Sequence, residues 1–488
     1  MTQRREFIKK SILGAAGVTI GGMGFSAKSY TSIIGANDRF RIAICGVNGR
    51  GKSHINGFGE QDNVEIAYLV DPDRLVLESR INELREKGGL SSGVKGFADV
   101  RRVLNDPEID AISVATPNSW HSLMVIWAAQ AKKHCYVEKP ASHDIYEGRV
   151  AVTAAEKYGI VVQHGTQRRS DADWARQVSD IRSGKYGKML VSHGFACKPR
   201  EGIGFEPDSN PPNNLDWNIW KGPAVIKSFN KNLVHYNWHW NWKTGNGELN
   251  NQGTHQLDVA YWALDTEVAN THPIRVMAIG GRFIWEDQGE TPNTMFALAE
   301  FANGQYVFFN VRNVNHEGYV REVTNRFYFK DGGRLTDGVY QSVNGSQPRN
   351  VPITDVRMAP GGPFGSFINA CRANDPSMAN GNMVDAHYSS TLGHLMNISY
   401  RMGEKVPFNE KAGRFGDNSL AYEEFMKIHA IARDGMGVPE NKAEYVVGPW
   451  LQFDGKAEKF VGDRSAEANR LLSDPHNAGF NIPSPKSV

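Results

Sequence analysis

Arg41-Ile42-Ala43-Ile44-Cys45-Gly46-Val47-Asn48-Gly49-Arg50-Gly51 runs from an apolar stretch straight into a glycine-rich turn. A buried strand that feeds such a turn and then a helix is the opening unit of a parallel sheet. Gly46 permits the tight turn and Gly51 permits close helix packing, while the helix start offers unpaired N–H groups and a positive dipole end to a pyrophosphate. Asn48 stands where a second glycine is usual, and Gly49 can still let the backbone approach a phosphate. Asp71 closes the next apolar stretch, 20 residues beyond Gly51, where a carboxylate accepts hydrogen bonds from adenosine ribose hydroxyls. This favours NAD over NADP, because Asp71 would repel a 2'-phosphate that Arg50 or Arg74 could only partly compensate.

Working outward, short apolar strands alternate with amphipathic helices. Strands are predicted at Arg41–Val47, Val64–Val70, Asp110–Thr116, His134–Val137 and Ile160–His164, with helices such as Ser119–Lys132 and Ile145–Tyr158 between them. That pattern predicts an α/β, doubly wound Rossmann domain. After about residue 187 the pattern changes to long alternating strands, Met189–Lys198, Ile274–Ile284, Thr294–Val314 and Val323–Lys330, with turns such as Ala302-Asn303-Gly304 and Asp331-Gly332-Gly333. These predict an α+β domain with a large, mainly antiparallel open sheet. Helices return at about Phe364–Met402 and Leu420–Arg433, and a polar tail closes the chain. The domains read as residues 37–186 and 187–488, preceded by residues 1–36 of a different character.

In those first residues Arg4-Arg5 precede Phe7-Ile8-Lys9 and a Gly- and Ala-rich apolar run from Ile12 to Phe25. This resembles a twin-arginine export signal, and the run is too short for a membrane span of about 20 apolar residues. The expectation is a periplasmic protein with no stable membrane insertion after cleavage, which follows Ala27 or Ala36. Across 488 residues, Lys+Arg 55 against Asp+Glu 53 gives a net charge of +2. No overall field draws the chain to nucleic acid. With 40% hydrophobic and 22% charged residues the chain is folded, and its partner is expected to be a small neutral molecule. Cys45, Cys135, Cys197 and Cys371 form no metal-ligand spacing, so they read as buried thiols and no metal is expected.

Three further motifs share one order with the Gly46–Gly51 turn: Ala115-Thr116-Pro117 followed by His121, then Glu138-Lys139-Pro140, then Gly253-Thr254-His255-Gln256-Leu257-Asp258. With them the mature chain resembles the Gfo/Idh/MocA oxidoreductase family along nearly its whole length. The resemblance implies a Rossmann domain and a C-terminal sheet that often serves as an oligomer interface, hence a homo-oligomer. It also implies hydride exchange between NAD, tightly held, and a hydroxyl carbon of a sugar, glycoside or polyol. Gly46, Asn48, Gly49, Arg50, Gly51, Asp71, Thr116, Pro117, His121, Glu138, Lys139 and Gln167 would then meet the cofactor.

Oxidising a secondary alcohol needs a base for the hydroxyl proton and a positive group for the developing alkoxide. By resemblance His255 supplies the first and Lys139 the second. The family's aspartate four residues before the histidine is here Asn251, which cannot accept a proton. His255 must act alone or with Glu248 or Asp258 as orienting carboxylate. His235, Tyr236, Trp238, His239, Trp240, Trp242 and Asn246 crowd the preceding segment, and aromatic faces with amides and imidazoles suit a sugar. Arg168, Tyr236, Trp238, His239, Asn251 and His255 are the candidate substrate contacts. Two other readings share these residues: a glycosidase that uses transient oxidation and elimination, and an inactive sugar-binding or structural homologue.

Overall fold

The computed structural model describes residues 39–488 apart from Asn344, Ser346 and Asp355; the expected twin-arginine signal, within residues 1–36, lies outside the described residues. Six parallel strands, β1 (Phe40–Cys45), β2 (Val64–Val70), β3 (Lys95–Phe97), β4 (Ala111–Val114), β5 (His134–Val137) and β6 (Val162–His164), pair in the order β3-β2-β1-β4-β5-β6. Five of these strands were expected. β3 was not, because a three-residue edge strand containing Lys95 and Gly96 carries no alternation to detect. Residues such as Ile42, Ile44, Ile112 and Val137 are fully buried, as a parallel sheet covered on both faces requires. The helix Ile145–Tyr158 has the predicted bounds, opened by the Asp144 side chain on the Glu147 N–H and closed by left-handed Gly159.

The strand order reverses between β1 and β4, where Cys45 pairs with Val114. The crevice beyond the carboxyl ends of those two strands is where doubly wound sheets bind ligands. Gly46 and Ala115 form its lip.

The second sheet has eleven strands. β7 (Met189–Arg200) is followed by a separate two-residue pair, β8 (Asp208–Ser209) and β9 (Phe229–Asn230). The sheet then takes in β10 (Arg275–Gly281), β11 (Thr294–Glu300), β12 (Tyr306–Val314), β13 (Asn325–Phe329), β14 (Arg334–Thr336), β15 (Val339–Gln341), β16 (Glu404–Pro407), β17 (Glu444–Val447), β18 (Leu451–Asp454) and β19 (Lys459–Val461). All its pairs are antiparallel except β7 with β12. β16–β19 were not foreseen, being short strands in a polar stretch. The helical stretch Phe364–Met402 is two helices, Gly362–Ala373 and Met383–Arg401, parted by left-handed Asn374 and by Pro376.

One face of this sheet packs under the helices Gly253–Trp262 and Met383–Arg401. On the other, Phe425 and Ile428 of the helix Ser419–Ala430 cover Phe296 and Phe308, so the chain itself occupies part of the face expected to meet a second copy. The C-terminal residues return to the first sheet. Phe367 and Ile368 join its core beside Phe58. Phe480 packs edge-on against Trp120 at 5.3 Å, and the Lys157 ammonium donates to Val488. All four cysteines are free and buried, as expected. Among the described residues no helix is long and apolar enough to cross a membrane.

Candidate active site

A cleft of about 420 Å³ opens at the reversal of strand order. At one end Gly46 adopts φ +78°, and a Cβ there would lie 2.6 Å from the Ala115 carbonyl. A Cβ on Gly51 would lie 1.8 Å from the Gly46 carbonyl, so the first helical turn rests directly on the loop. Gly49 has open space where a side chain would stand, and no side chain caps the helix Arg50–Gly59 that it begins. The unpaired N–H groups of that helix start suit a diphosphate. Asp71 is buried and burial raises its carboxyl, while it accepts from the Val47 N–H at 2.8 Å and the Asp73 N–H at 3.0 Å. It therefore ties the glycine turn to the end of β2 as well as facing the cleft. The Thr116 hydroxyl, on the cleft wall, is buried with no partner among the described residues, and a bound dinucleotide would give it one. The residues present fit NAD. Asp71→Ala should weaken NAD binding about 10- to 100-fold, the cost of losing charged hydrogen bonds of about 1.5–3 kcal/mol, and spare NADP. Titration with both nucleotides checks it, and an unaltered preference would assign ribose recognition elsewhere.

Glu138, at the end of β5, is buried and receives Arg50 Nε at 2.7 Å, His54 Nε2 at 3.1 Å and Gln167 Nε2 at 3.3 Å on one oxygen. Burial alone would raise this carboxyl, but the hydrogen bond from His54 and the Arg50 charge hold it well below its usual range. A Cβ on Gly165 would strike the carboxylate at 2.8 Å, so β6 passes close enough to wall it in.

Lys139 follows, donating from Nζ to the Asn251 backbone carbonyl at 2.7 Å and to its Oδ1 at 3.2 Å. Burial lowers the Lys139 ammonium to about 8, against the raising influence of Glu138 and Glu248. His255 lines the same cleft, and burial, then the Lys139 charge, lower its imidazole to about 3. At neutral pH the cleft thus holds an ammonium and a neutral imidazole, the pair that alcohol oxidation calls for.

The fold brings together Gly46, Asn48, Gly49, Arg50, Asp71, Thr116, Pro117, His121, Glu138, Lys139, Gln167, Tyr236, Trp238, His239, Asn251 and His255 on the cleft wall. Gly51 lies beneath the turn instead, a packing residue. His121 is held between the Pro140 carbonyl at 2.6 Å and the Thr116 carbonyl at 3.0 Å, and so braces the wall. Arg168, expected at the substrate, turns to β13: it donates to Asn325 Oδ1 at 2.8 Å and the Val323 carbonyl at 3.3 Å and lies 4.6 Å over Trp174. Neither candidate carboxylate orients His255. Asp258 is buried in a bidentate pair with Arg169, and Glu248 in one with Arg200. Both choices followed from sequence nearness, and each acid lies opposite an arginine remote in sequence, the buried Arg169 and the part-buried Arg200.

Sequence reasoning missed the adenosine end of the cleft, walled by Trp120, Ile219, Trp220 and His235. The segment that carries the last three crosses over from the second domain. Its anchors are His235 on Asp73 at 3.1 Å, Asn214 Nδ2 on the same carboxylate at 2.9 Å, and the Trp120 indole N–H on the Trp220 carbonyl at 3.1 Å. The cluster Trp217-Asn218-Ile219-Trp220 was the available signal. Away from the cleft, among the described residues, two groups of side chains come within ligating distance of one another: His272, His387 and Glu458, and Asp144, Glu147 and His476. In the first, Arg149 also pairs with Glu458, supplying the positive charge.

Residues 40–166 match the model of the oxidoreductase family with an NAD-binding Rossmann fold, and residues 224–333 match the Gfo/Idh/MocA C-terminal domain. The two matched segments are those of the Gfo/Idh/MocA family. The chain is similar to a myo-inositol 2-dehydrogenase of Thermotoga maritima, 28% identical over 151 residues that cover 31% of this chain and 43% of that protein. It is also similar to a glycosyl hydrolase family 109 protein of Shewanella pealeana, 27% identical over 215 residues, 40% of this chain and 45% of that one. The chain spans 40 to 45% of the length of several curated relatives, these two included. The WlbA dehydrogenase of Chromobacterium violaceum, solved with NADH and UDP-GlcNAcA, shares the Gfo/Idh/MocA fold at a TM-score of 0.54 and 15% identity, covering 74% of this chain and 94% of that one.

Proposed function

We propose that this protein is an NAD-dependent dehydrogenase that exchanges a hydride between the nicotinamide and a hydroxyl carbon of a sugar, glycoside or polyol. The observation that carries the reading is the Lys139 ammonium and the neutral His255 imidazole on one wall of a cleft whose far end is the Gly46 turn and Asp71. Bound NAD supplies the hydride acceptor. The substrate hydroxyl gives its proton to His255, which burial keeps neutral at working pH and so able to offer an unprotonated ring nitrogen. Lys139 steadies the oxygen as negative charge grows on it. Glu138, by taking Arg50, His54 and Gln167, fixes the strand end from which Lys139 projects. The exposed Tyr236 and the stacked Trp238–His239 pair, with centroids 3.5 Å apart, offer flat faces to a sugar ring.

The test is to incubate the purified chain with NAD and a panel of sugars, glycosides and inositols, following reduced-nicotinamide absorbance and free sugar together. Stoichiometric reduction with the glycosidic bond intact supports a dehydrogenase. Repeated sugar release without net reduction supports the redox-assisted glycosidase, a reading favoured by the likeness to the family 109 protein. Neither signal with any substrate would favour an inactive homologue. A homo-oligomer remains the expectation for the assembly.

The site of action we assign to the periplasm. Arg4-Arg5 and the apolar run after them support twin-arginine export, a route that carries folded proteins and so suits one loaded with cofactor before export. Replacing both arginines by lysine should leave the protein in the cytoplasmic fraction; unchanged periplasmic recovery would rule that route out.

A further inference from the structure

Asn251 stands where an aspartate would touch Lys139 directly, and its amide is held at both ends. Its Oδ1 accepts from Lys139 Nζ at 3.2 Å, and its Nδ2 donates to Glu248 Oε2 at 3.4 Å. Residues 248 and 251 lie one helical turn apart, at the short helix Gly247–Asn250, so their side chains share a face. An amide has one donor end and one acceptor end. With the donor end committed to Glu248, the oxygen is the end left for the ammonium. Glu248 is itself buried and gripped by Arg200 through Nε at 3.1 Å and Nη2 at 2.9 Å. The remaining Arg200 nitrogen donates to the Tyr236 hydroxyl at 2.8 Å, at the mouth of the cleft.

We propose that Glu248 is a positioning residue for Lys139: it orients the Asn251 amide toward the ammonium and keeps a buried negative charge one side chain removed from it. A carboxylate at 251 would touch Lys139 and hold its proton firmly. A neutral amide backed by Glu248 holds it loosely, so the ammonium sits closer to neutrality. The charges that face Lys139 come from four elements. Glu138 from β5 and Glu248 from the Gly247–Asn250 helix favour the ammonium, while Arg50 from the first helix and Arg200 from β7 oppose it, as burial does most of all. The nearby imidazoles of His239 and His255 are lowered by burial to about 3, and burial lowers that of His121 too.

The kinetic part of this inference rests on the dehydrogenase reading; the charge part does not. Lys139 protonation in the full-length protein without substrate is read from the pH dependence of its carbamylation by cyanate, which attacks the neutral amine, with peptide mass spectrometry as the detector. Glu248→Gln should lower the midpoint by about one unit, Glu248→Asp should restore it to within half a unit, and Arg200→Gln should raise it, because a nearby opposite charge favours the ammonium and a like charge disfavours it. The alkaline limb of kcat should move with the midpoint. An unmoved midpoint in Glu248→Gln, or one that climbs toward 10.5 because the pocket merely loosened, overturns the proposal. If Glu248→Gln does not fold, an unmoved midpoint in Arg200→Gln overturns it equally. A shifted midpoint without turnover on any sugar would leave Glu248 in its role and overturn the dehydrogenase reading instead.

Discussion

Lys139→Ala is expected to lower kcat about 100- to 1000-fold, the usual consequence of removing one charge-stabilising donor from a developing oxyanion, with NAD binding within about threefold of the parent. The two halves of that result come from different ends of the cleft. The glycine turn, the helix start and Asp71 do not touch Lys139, so the dinucleotide loses none of those contacts. What is lost is the only ammonium on the cleft wall among the described residues. Single-turnover kinetics with saturating NAD check it. Turnover unchanged in this variant would remove Lys139 from the chemistry altogether. In the parent, oxidation should hold level below pH 8 and fall above it as the Lys139 ammonium, lowered by burial to about 8, gives up its proton. His255, already neutral above about 3, adds no limb in the working range.

Gly51→Ala is the second large effect. The added Cβ would stand 1.8 Å from the Gly46 carbonyl. The obstructing atom is backbone, so no flexible side chain can give way and the helix must move off the turn. Overpacking of this kind costs about 1–3 kcal/mol, which on the helix that faces the pyrophosphate becomes a roughly 5- to 150-fold weaker NAD affinity. Gly49→Ala is the matched control. Its Cβ would meet no protein atom, so it should leave thermal stability unaltered, and any loss of affinity there reads contact with the nucleotide alone. Equal melting temperatures and equal affinities for Gly51→Ala and the parent would refute the packing account.

The chain order of the first domain was legible because its evidence is local. An apolar run, a glycine turn and a carboxylate at fixed distance lie within one strand-helix-strand unit, and the bounds of Val64–Val70, His134–Val137 and Ile145–Tyr158 agree with the structure. Lys139 and His255 were singled out for a different reason: a resemblance implied their roles, and the fold sets both on the lining of one cleft. What failed depends on contacts between distant segments. Arg168 follows β6, next to the cleft, yet its partners are Asn325 and Val323, more than 150 residues on. Asp258 sits one helical turn from His255 but is claimed by Arg169, and Glu248 by Arg200. A buried charge goes to its counter-charge wherever the chain supplies one, and sequence spacing does not show where that is.

The strap over the adenosine end illustrates the same limit. Its aromatic residues were noticed as a substrate surface, and Tyr236, Trp238 and His239 do line the cleft. That the same segment also closes on Asp73, Trp120 and the tail residue Asn477, whose amide donates to the Gly222 and Ala224 carbonyls at 2.8 and 2.7 Å, requires the tertiary fold. The tail read as a polar ending because Phe480 is one ring in a stretch of Asn, Pro and Asp, yet that ring packs on Trp120 and beneath Arg101.

The central claim is that hydrogen passes directly between a sugar carbon and NAD in the cleft of Lys139 and His255. Its most direct test is a single turnover of the purified chain with NAD and glycosides or inositols deuterated on their ring carbons, followed by mass analysis of the nicotinamide. The account predicts one deuterium in the reduced ring, and none formed by Lys139→Ala on the same timescale. Reduced nicotinamide without deuterium, or sugar turnover with the label left in place and no transient reduction, would contradict it.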